Sequence, residues 1–183
     1  MKSILAGILI GIGVIVNLSC TNGFIGALLF SLGLVLVLVF NADLFTGKIG
    51  YIIDEPNKKN ILDLAKMLCG NIIGAFIVAV IIMIGSPDVD LLMQFIFEMP
   101  TERYFIFAIP CGALMYLAVE GYKRTKNFLI PIMCVTTFIV SGFQHCIVVA
   151  FYFGIFNLKF WFAVLGNTIG AIAMRWLTKE QGD

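Results

Sequence analysis

The chain reads as a series of long apolar runs separated by short polar ones. Requiring about 20 apolar residues for each membrane crossing, and cutting at clusters of charge and turn residues, predicts six spans: residues 4–18, 24–40, 61–84, 104–119, 128–156 and 160–177. Cys20-Thr21-Asn22-Gly23 predicts a tight turn between the first two, and Asp54-Glu55-Pro56-Asn57-Lys58-Lys59-Asn60 a polar loop before the third. The longest predicted loop, 85–102, carries Asp88, Asp90, Glu98 and Glu102, and residues 121–127 close the fourth span with Lys123, Arg124 and Lys126.

Two of the runs are broken. Asn41-Ala42-Asp43-Leu44-Phe45-Thr46-Gly47-Lys48 ends the second, with a short half-helix predicted to resume as far as residue 53. Within the fifth, Ser141-Gly142 supplies a break in Val140-Ser141-Gly142-Phe143-Gln144-His145-Cys146, and His145, the single histidine, supplies a titratable group. In hydrocarbon, non-helical backbone is tolerated only where it is buried in protein or lines a cavity. An ionisable residue beside such a break is therefore a functional-site candidate. The competing reading makes His145 a hydrogen-bonding bridge between packed helices.

The chain also repeats itself. Gly70-Asn71-Ile72-Ile73-Gly74-Ala75 in the third span recurs as Gly166-Asn167-Thr168-Ile169-Gly170-Ala171 in the sixth, 96 residues later (166 minus 70). The same offset carries Thr46 onto Gly142, so the breaks occupy matching places in two halves, about 1–85 and 103–183, of one transmembrane domain covering 1–183. Three spans per half invert the second half relative to the first, which predicts a pseudo-two-fold axis in the membrane plane and a pathway near the midplane. The small residues of the repeated motif read as helix-packing positions. Asn71 and Asn167 are candidates to hydrogen-bond across helices or to the backbone freed at the breaks.

Charge sets the orientation. With the N-terminus inside, Lys2, Lys48, Lys58, Lys59, Lys66, Lys123, Arg124, Lys126, Arg175 and Lys179 fall on the cytoplasmic side, against Arg103 and Lys159 outside. That ten-to-two bias obeys the positive-inside rule and predicts a multi-pass protein of the cell membrane with both termini cytoplasmic. Composition agrees with the class: hydrophobic residues are 61%, charged residues 13% and the mean hydropathy is +1.03. The net charge of +1, without a long basic run, argues against a nucleic-acid partner. The apolar stretch from Ile4 continues past Val16 with no small-residue cleavage pattern, so the first segment is expected to be a retained span. Cys20, Cys69, Cys111, Cys134 and Cys146 show no CxxC spacing, so neither a disulfide framework nor a metal site is implied. No cofactor is called for.

Chemically, a broken helix turns unsatisfied N–H groups and the positive end of its dipole toward the membrane centre, which favours a small anion. Thr46 adds a hydroxyl to one break, and His145 adds a donor that becomes cationic on protonation to the other. Apolar neighbours, among them Leu44, Phe45 and Phe138, are candidates for constrictions that exclude hydrated ions. A proton gained within the path converts the anion to a neutral acid and lowers the cost of crossing apolar surface. Histidine titrates in the range this scheme needs.

The segments 41–47 and 141–145 and the two Gly-Asn-x-Ile-Gly-Ala copies resemble the signature segments of the formate/nitrite transporter family over nearly the whole chain. The resemblance implies an all-α integral membrane protein of six transmembrane helices, with broken second and fifth helices, aquaporin-like in fold. It also implies a homopentamer with one pore per protomer, carrying formate, nitrite or hydrosulfide, and no enzyme activity. Thr46 is similar to the family's threonine in the broken second helix, and His145 to its central histidine. Leu44, Phe45, Leu34, Phe30 and Phe138 fall where the family places pore-constricting apolar residues. The chain departs from the pattern with Gln144 where a Glu usually precedes the histidine. Gly112 stands, by ungapped counting, where an Asn is found in the fourth span, and residues 91–100 contain no Lys for the outer vestibule. A pore for a neutral solute such as water, ammonia or hydrogen sulfide on the same fold is the alternative. A membrane enzyme using His145 lacks a visible constellation of partner groups.

Overall fold

The computed structural model describes residues 1–85 and 99–179. The predicted loop 85–102 falls largely outside these described residues, as do 180–183. Among the described residues there are helices and no strand. They run α1 (Lys2–Leu18), α2 (Gly23–Val39), α3 (Phe45–Lys48), a 3-10 turn (Ile49–Ile53), α4 (Lys58–Gly85), α5 (Thr101–Thr125), α6 (Leu129–Val140), α7 (Cys146–Phe153) and α8 (Leu158–Lys179).

Three of these, α4, α5 and α8, are long and apolar enough to cross a membrane by length and composition; α1, α2 and α6 are apolar but shorter, at 17, 17 and 12 residues. Asn22 starts α2 by accepting hydrogen bonds from the N–H groups of Phe24 (3.0 Å) and Ile25 (3.1 Å), satisfying donors that a first turn leaves open. Lys126, in the left-handed conformation at φ 57°, ends α5 with its N–H on Tyr122 O. Both faces of the helices are apolar. Phe24, Leu28 and Leu32 of α2, Phe76 and Ile81 of α4, and Trp161, Leu165 and Trp176 of α8 are exposed on the protomer, as expected where the surroundings are hydrocarbon rather than water.

Packing pairs α1 with α4 and α5 with α8 at backbone contact. A β-carbon added at Gly7 would stand 2.0 Å from Asn71 O, and one at Gly112 would stand 2.1 Å from Asn167 O. Gly112 therefore sits where two helices cross, and there is no room at that position for an asparagine side chain. Between lipid-immersed helices, close approach of this kind supplies the dispersion contacts that replace the hydrophobic drive. At the lysine-rich end, the turn after the first break is tied to α8: Asp54 accepts from Arg175 Nε (2.9 Å) and from Lys179 Nζ (2.9 Å).

The two breaks share one local geometry, with a register finer than the motif repeat implies. Asn41 (φ 47°) and Gly142 (φ 70°) both turn left-handed, which glycine tolerates without strain and asparagine at small cost. Ala42 N–H then reaches Val37 O and Phe143 N–H reaches Phe138 O, each at 2.9 Å. Leu44 (φ −101°, ψ 123°) and His145 (φ −94°, ψ 122°) are both extended and lead into the half-helices α3 and α7. Within the breaks the offset is thus 101 residues (145 minus 44), so His145 corresponds to Leu44 and Thr46 to Ile147. The 96-residue offset holds for Asn71 and Asn167 because 27 positions separate Leu44 from Asn71 (71 minus 44) but only 22 separate His145 from Asn167 (167 minus 145).

Candidate functional site

Each break is held by one asparagine from the helix packed behind it. Asn71 Oδ1 accepts from Phe45 N–H (2.8 Å), while its Nδ2 donates to Ser3 O (2.7 Å) and Asp43 O (2.8 Å). In the other half, Asn167 Oδ1 accepts from Cys146 N–H (2.8 Å), and its Nδ2 donates to Ala108 O (2.8 Å) and Gln144 O (2.9 Å). Both asparagines are fully buried. A primary amide has two donors and a carbonyl acceptor; here the acceptor and one donor serve the freed backbone of the break, and the other donor bonds a neighbouring helix, at Ser3 O of α1 or Ala108 O of α5. The leading N–H of each half-helix is consequently taken by an amide oxygen rather than left open. Pro110, which lacks a donor, interrupts the α5 ladder close to where Phe107 O accepts Gln144 N–H (3.1 Å) and Ala108 O accepts from Asn167.

This scaffold brings the residues beside the two amides together. Thr46 Oγ1 lies 2.9 Å from His145 Nε2, with Thr46 fully buried and His145 2% exposed. His145 Nδ1 is buried and has no hydrogen-bond partner among the described residues. Phe138 stacks on the imidazole, with ring centroids 5.8 Å apart, and Phe30 meets Phe138 edge-on at 5.9 Å.

Cavities approach this centre from opposite sides. The first, about 160 Å³, is lined by Phe30, Phe138, Phe143, Gln144 and His145, and opens toward Leu18, Tyr104 and Tyr152. The second, about 310 Å³, is lined by Ala42, Leu44 and Val119 and opens toward Lys48, Lys123 and Lys126. Phe45 and Thr46 line neither and lie buried beside the centre.

Residues 1–179 match the family model described as formate/nitrite transporter. The chain belongs to the formate/nitrite transporter family. Among solved structures it is similar to an "FNT family ion channel", with a TM-score of 0.82, 20% identity, and coverage of 98% of this chain and 87% of that one. It is also similar to a "Pentameric formate channel with formate bound", with a TM-score of 0.78, 22% identity, and coverage of 99% and 96%. At those identities the likeness shows the fold. No match was found among curated proteins.

In this family member the singled-out residues separate into groups. Thr46, His145, Phe138 and Phe30 cluster at the centre and on the wall of the first cavity, whereas Leu44 lines the second. Leu34 is fully buried in α2 and lines neither cavity. Gln144 lines the first cavity, but its Nε2 is folded back to donate to Gly142 O (2.8 Å). Ser141 is exposed with helical backbone angles, so the left-handed turn belongs to Gly142. Sequence reasoning passed over Tyr104, Tyr152 and Asn17 in the first lining and Lys123 and Lys126 in the second. Tyrosines near span ends, and lysines at the end of α5, carry no local mark that they turn inward.

Proposed function

We propose that the protein is a membrane channel or proton-linked transporter for a small monovalent anion or its conjugate acid, of the formate, nitrite and hydrosulfide class, and not an enzyme. The architecture we infer is six membrane spans in an inverted three-plus-three repeat. Both termini and the lysine-lined cavity face the cytoplasm, and five protomers assemble with one path in each. The observation that carries the reading is the Thr46–His145 contact, which links His145 on the wall of the first cavity to the residue between Leu44 and Gly47, both on the wall of the second, through one hydroxyl and one imidazole.

Bare charge crosses the dry stretch between Leu44 and Phe138 at high cost. When the Thr46 hydroxyl donates to Nε2, the neutral imidazole carries its proton on Nδ1 and offers it to an anion in the first cavity. If the imidazole has gained a second proton from a hydronium ion, transfer of its Nδ1 proton to the anion leaves a neutral imidazole protonated on Nε2 and a neutral acid, and the acid passes the apolar walls. Thr46 suits each form: its oxygen accepts from Nε2–H in the imidazolium and after the Nδ1 proton has gone to the anion, and its hydroxyl donates to Nε2 when the neutral imidazole carries its proton on Nδ1. The family match favours this reading over a neutral-solute pore.

The test is uptake of formate, nitrite, hydrosulfide and water by proteoliposomes, with assembly followed by native mass spectrometry. Passage of water but of none of the three anions would overturn the functional reading. For the proton linkage, formate uptake between pH 5 and 8 is compared with that of His145→Asn, which keeps a donor and removes the titration. We expect the variant to conduct with a flattened profile. Profiles of the same shape would return His145 to a structural hydrogen bond.

A further inference from the structure

The two mouths of the path differ in charge. Lys48, Lys123 and Lys126 all line the second cavity, whereas no Lys, Arg, Asp or Glu among the described residues lines the first, whose polar groups are Asn17, Tyr104, Gln144, His145 and Tyr152. Lys159 is near the first mouth, over the rings of Tyr104 (5.2 Å) and Phe153 (4.6 Å), but does not enter the lining.

The three lysines are not equivalent. Lys48 is ion-paired with Asp43. Lys123 and Lys126 instead rest on aromatic faces: Lys123 Nζ is 3.9 Å from the Tyr51 ring centroid, and Lys126 Nζ is 5.7 Å from that of Tyr122. The nearest acid in sequence, Glu120, is occupied by Arg124 Nε (2.7 Å) and by the Tyr51 hydroxyl. A ring quadrupole steadies an ammonium without cancelling its charge, so both ammonium groups add positive charge to this cavity, Lys123 with the Glu120 carboxylate acting on it from the same helix. Positive-inside bias and complementation of the α5 dipole explain lysines at this end of the helix. Neither requires them to line the cavity or to be held by rings.

We propose that Lys123, seated on Tyr51 and seconded by Lys126, forms an anion-collecting site at the lysine-lined mouth, so that the path binds its anion more tightly from that side than from the other. This rests on the function proposed above. Because a passive path cannot pump, the ratio of limiting rate to half-saturation is equal from both sides. The asymmetry therefore shows as a lower half-saturating concentration together with a lower limiting rate from the lysine side.

The experiment measures initial rates of labelled formate uptake in right-side-out and inside-out vesicles at low ionic strength. Half-saturation about fivefold lower from the lysine side is expected, since one exposed charge near the ligand contributes about that factor. Lys123→Gln should remove most of the difference and Lys123→Arg should keep it. Tyr51→Phe, which retains the ring and loses only the bond to Glu120, should also keep it. Molar inert salt, which cuts the Debye length to about 3 Å, should abolish the asymmetry in the unaltered protein, a readout that needs no variant to fold. Equal half-saturation from both sides in low salt, or asymmetry unchanged in Lys123→Gln, overturns the collecting site while leaving the transport function standing. Absence of formate, nitrite and hydrosulfide uptake from either side overturns the function itself.

Discussion

Replacing Asn71 with Leu keeps the branched outline of the side chain and deletes every hydrogen bond it makes, two to the first break and one to α1. Three bonds go: the acceptor for Phe45 N–H at 2.8 Å and the donors to Ser3 O at 2.7 Å and Asp43 O at 2.8 Å. Interhelical hydrogen bonds in membranes average about 0.6 kcal/mol and reach about 1.7, so the set amounts to about 2–5 kcal/mol. The upper part of that range applies if Phe45 N–H, in a fully packed site, finds no other acceptor. The loss also reaches function, because Phe45 directly precedes Thr46 and its amide fixes where the Thr46 hydroxyl meets His145. The assay pairs the unfolding midpoint of the detergent-solubilised protein with formate flux, for Asn71→Leu and, independently, Asn167→Leu. Each asparagine accepts one bond and donates two, so both variants should lose comparable stability. A stability loss under about 0.5 kcal/mol with unchanged flux would refute the reasoning, since the breaks would then not depend on these amides.

Thr46→Val preserves shape and removes the hydroxyl; leaving Nε2 without its partner costs about 1–3 kcal/mol, and formate uptake should fall by about tenfold while the protein remains assembled. Gly112→Ala places a β-carbon 2.1 Å from Asn167 O, and overpacking of this kind should lower the stability, read from the unfolding midpoint, by about 1–3 kcal/mol. Asp54 supplies a pH-dependent test. Burial opposes its ionisation, but hydrogen bonds from Lys179 and Arg175 outweigh that and hold the carboxyl below its ordinary value. A depressed carboxylate contributes stability that is present above the unfolded-state value, about 3.9, and is lost as pH falls through the folded one. The unfolding midpoint should accordingly drop below about pH 4, and Asp54→Asn should lower it near neutrality while flattening that acid limb.

Much of the fold could be read along the chain because its solvent is severe. In hydrocarbon every backbone polar group must find an internal partner, so apolar runs announce helices, and Asn41, Gly142 and the paired Gly-Asn motifs announce where helices stop and cross. Most helix ends accordingly lie within a few residues of the hydrophobic pattern, although α5 runs on to Thr125, six residues past the expected end of the fourth span (125 minus 119), and the family is visible in the two break segments. Contacts across the breaks were not legible in the same way. Thr46 and His145 are 99 positions apart and come from non-equivalent places in the two breaks, so neither periodicity nor the 96-residue repeat pairs them. They meet because Asn71 and Asn167 hold the adjoining amides from opposite halves. The charge at the two mouths was likewise decided in three dimensions. A lysine at the end of a span reads the same whether it points to bulk water or into a cavity, and only the folded chain shows that three of ten like-signed residues, Lys48, Lys123 and Lys126, line the second cavity, Lys123 against the ring of Tyr51.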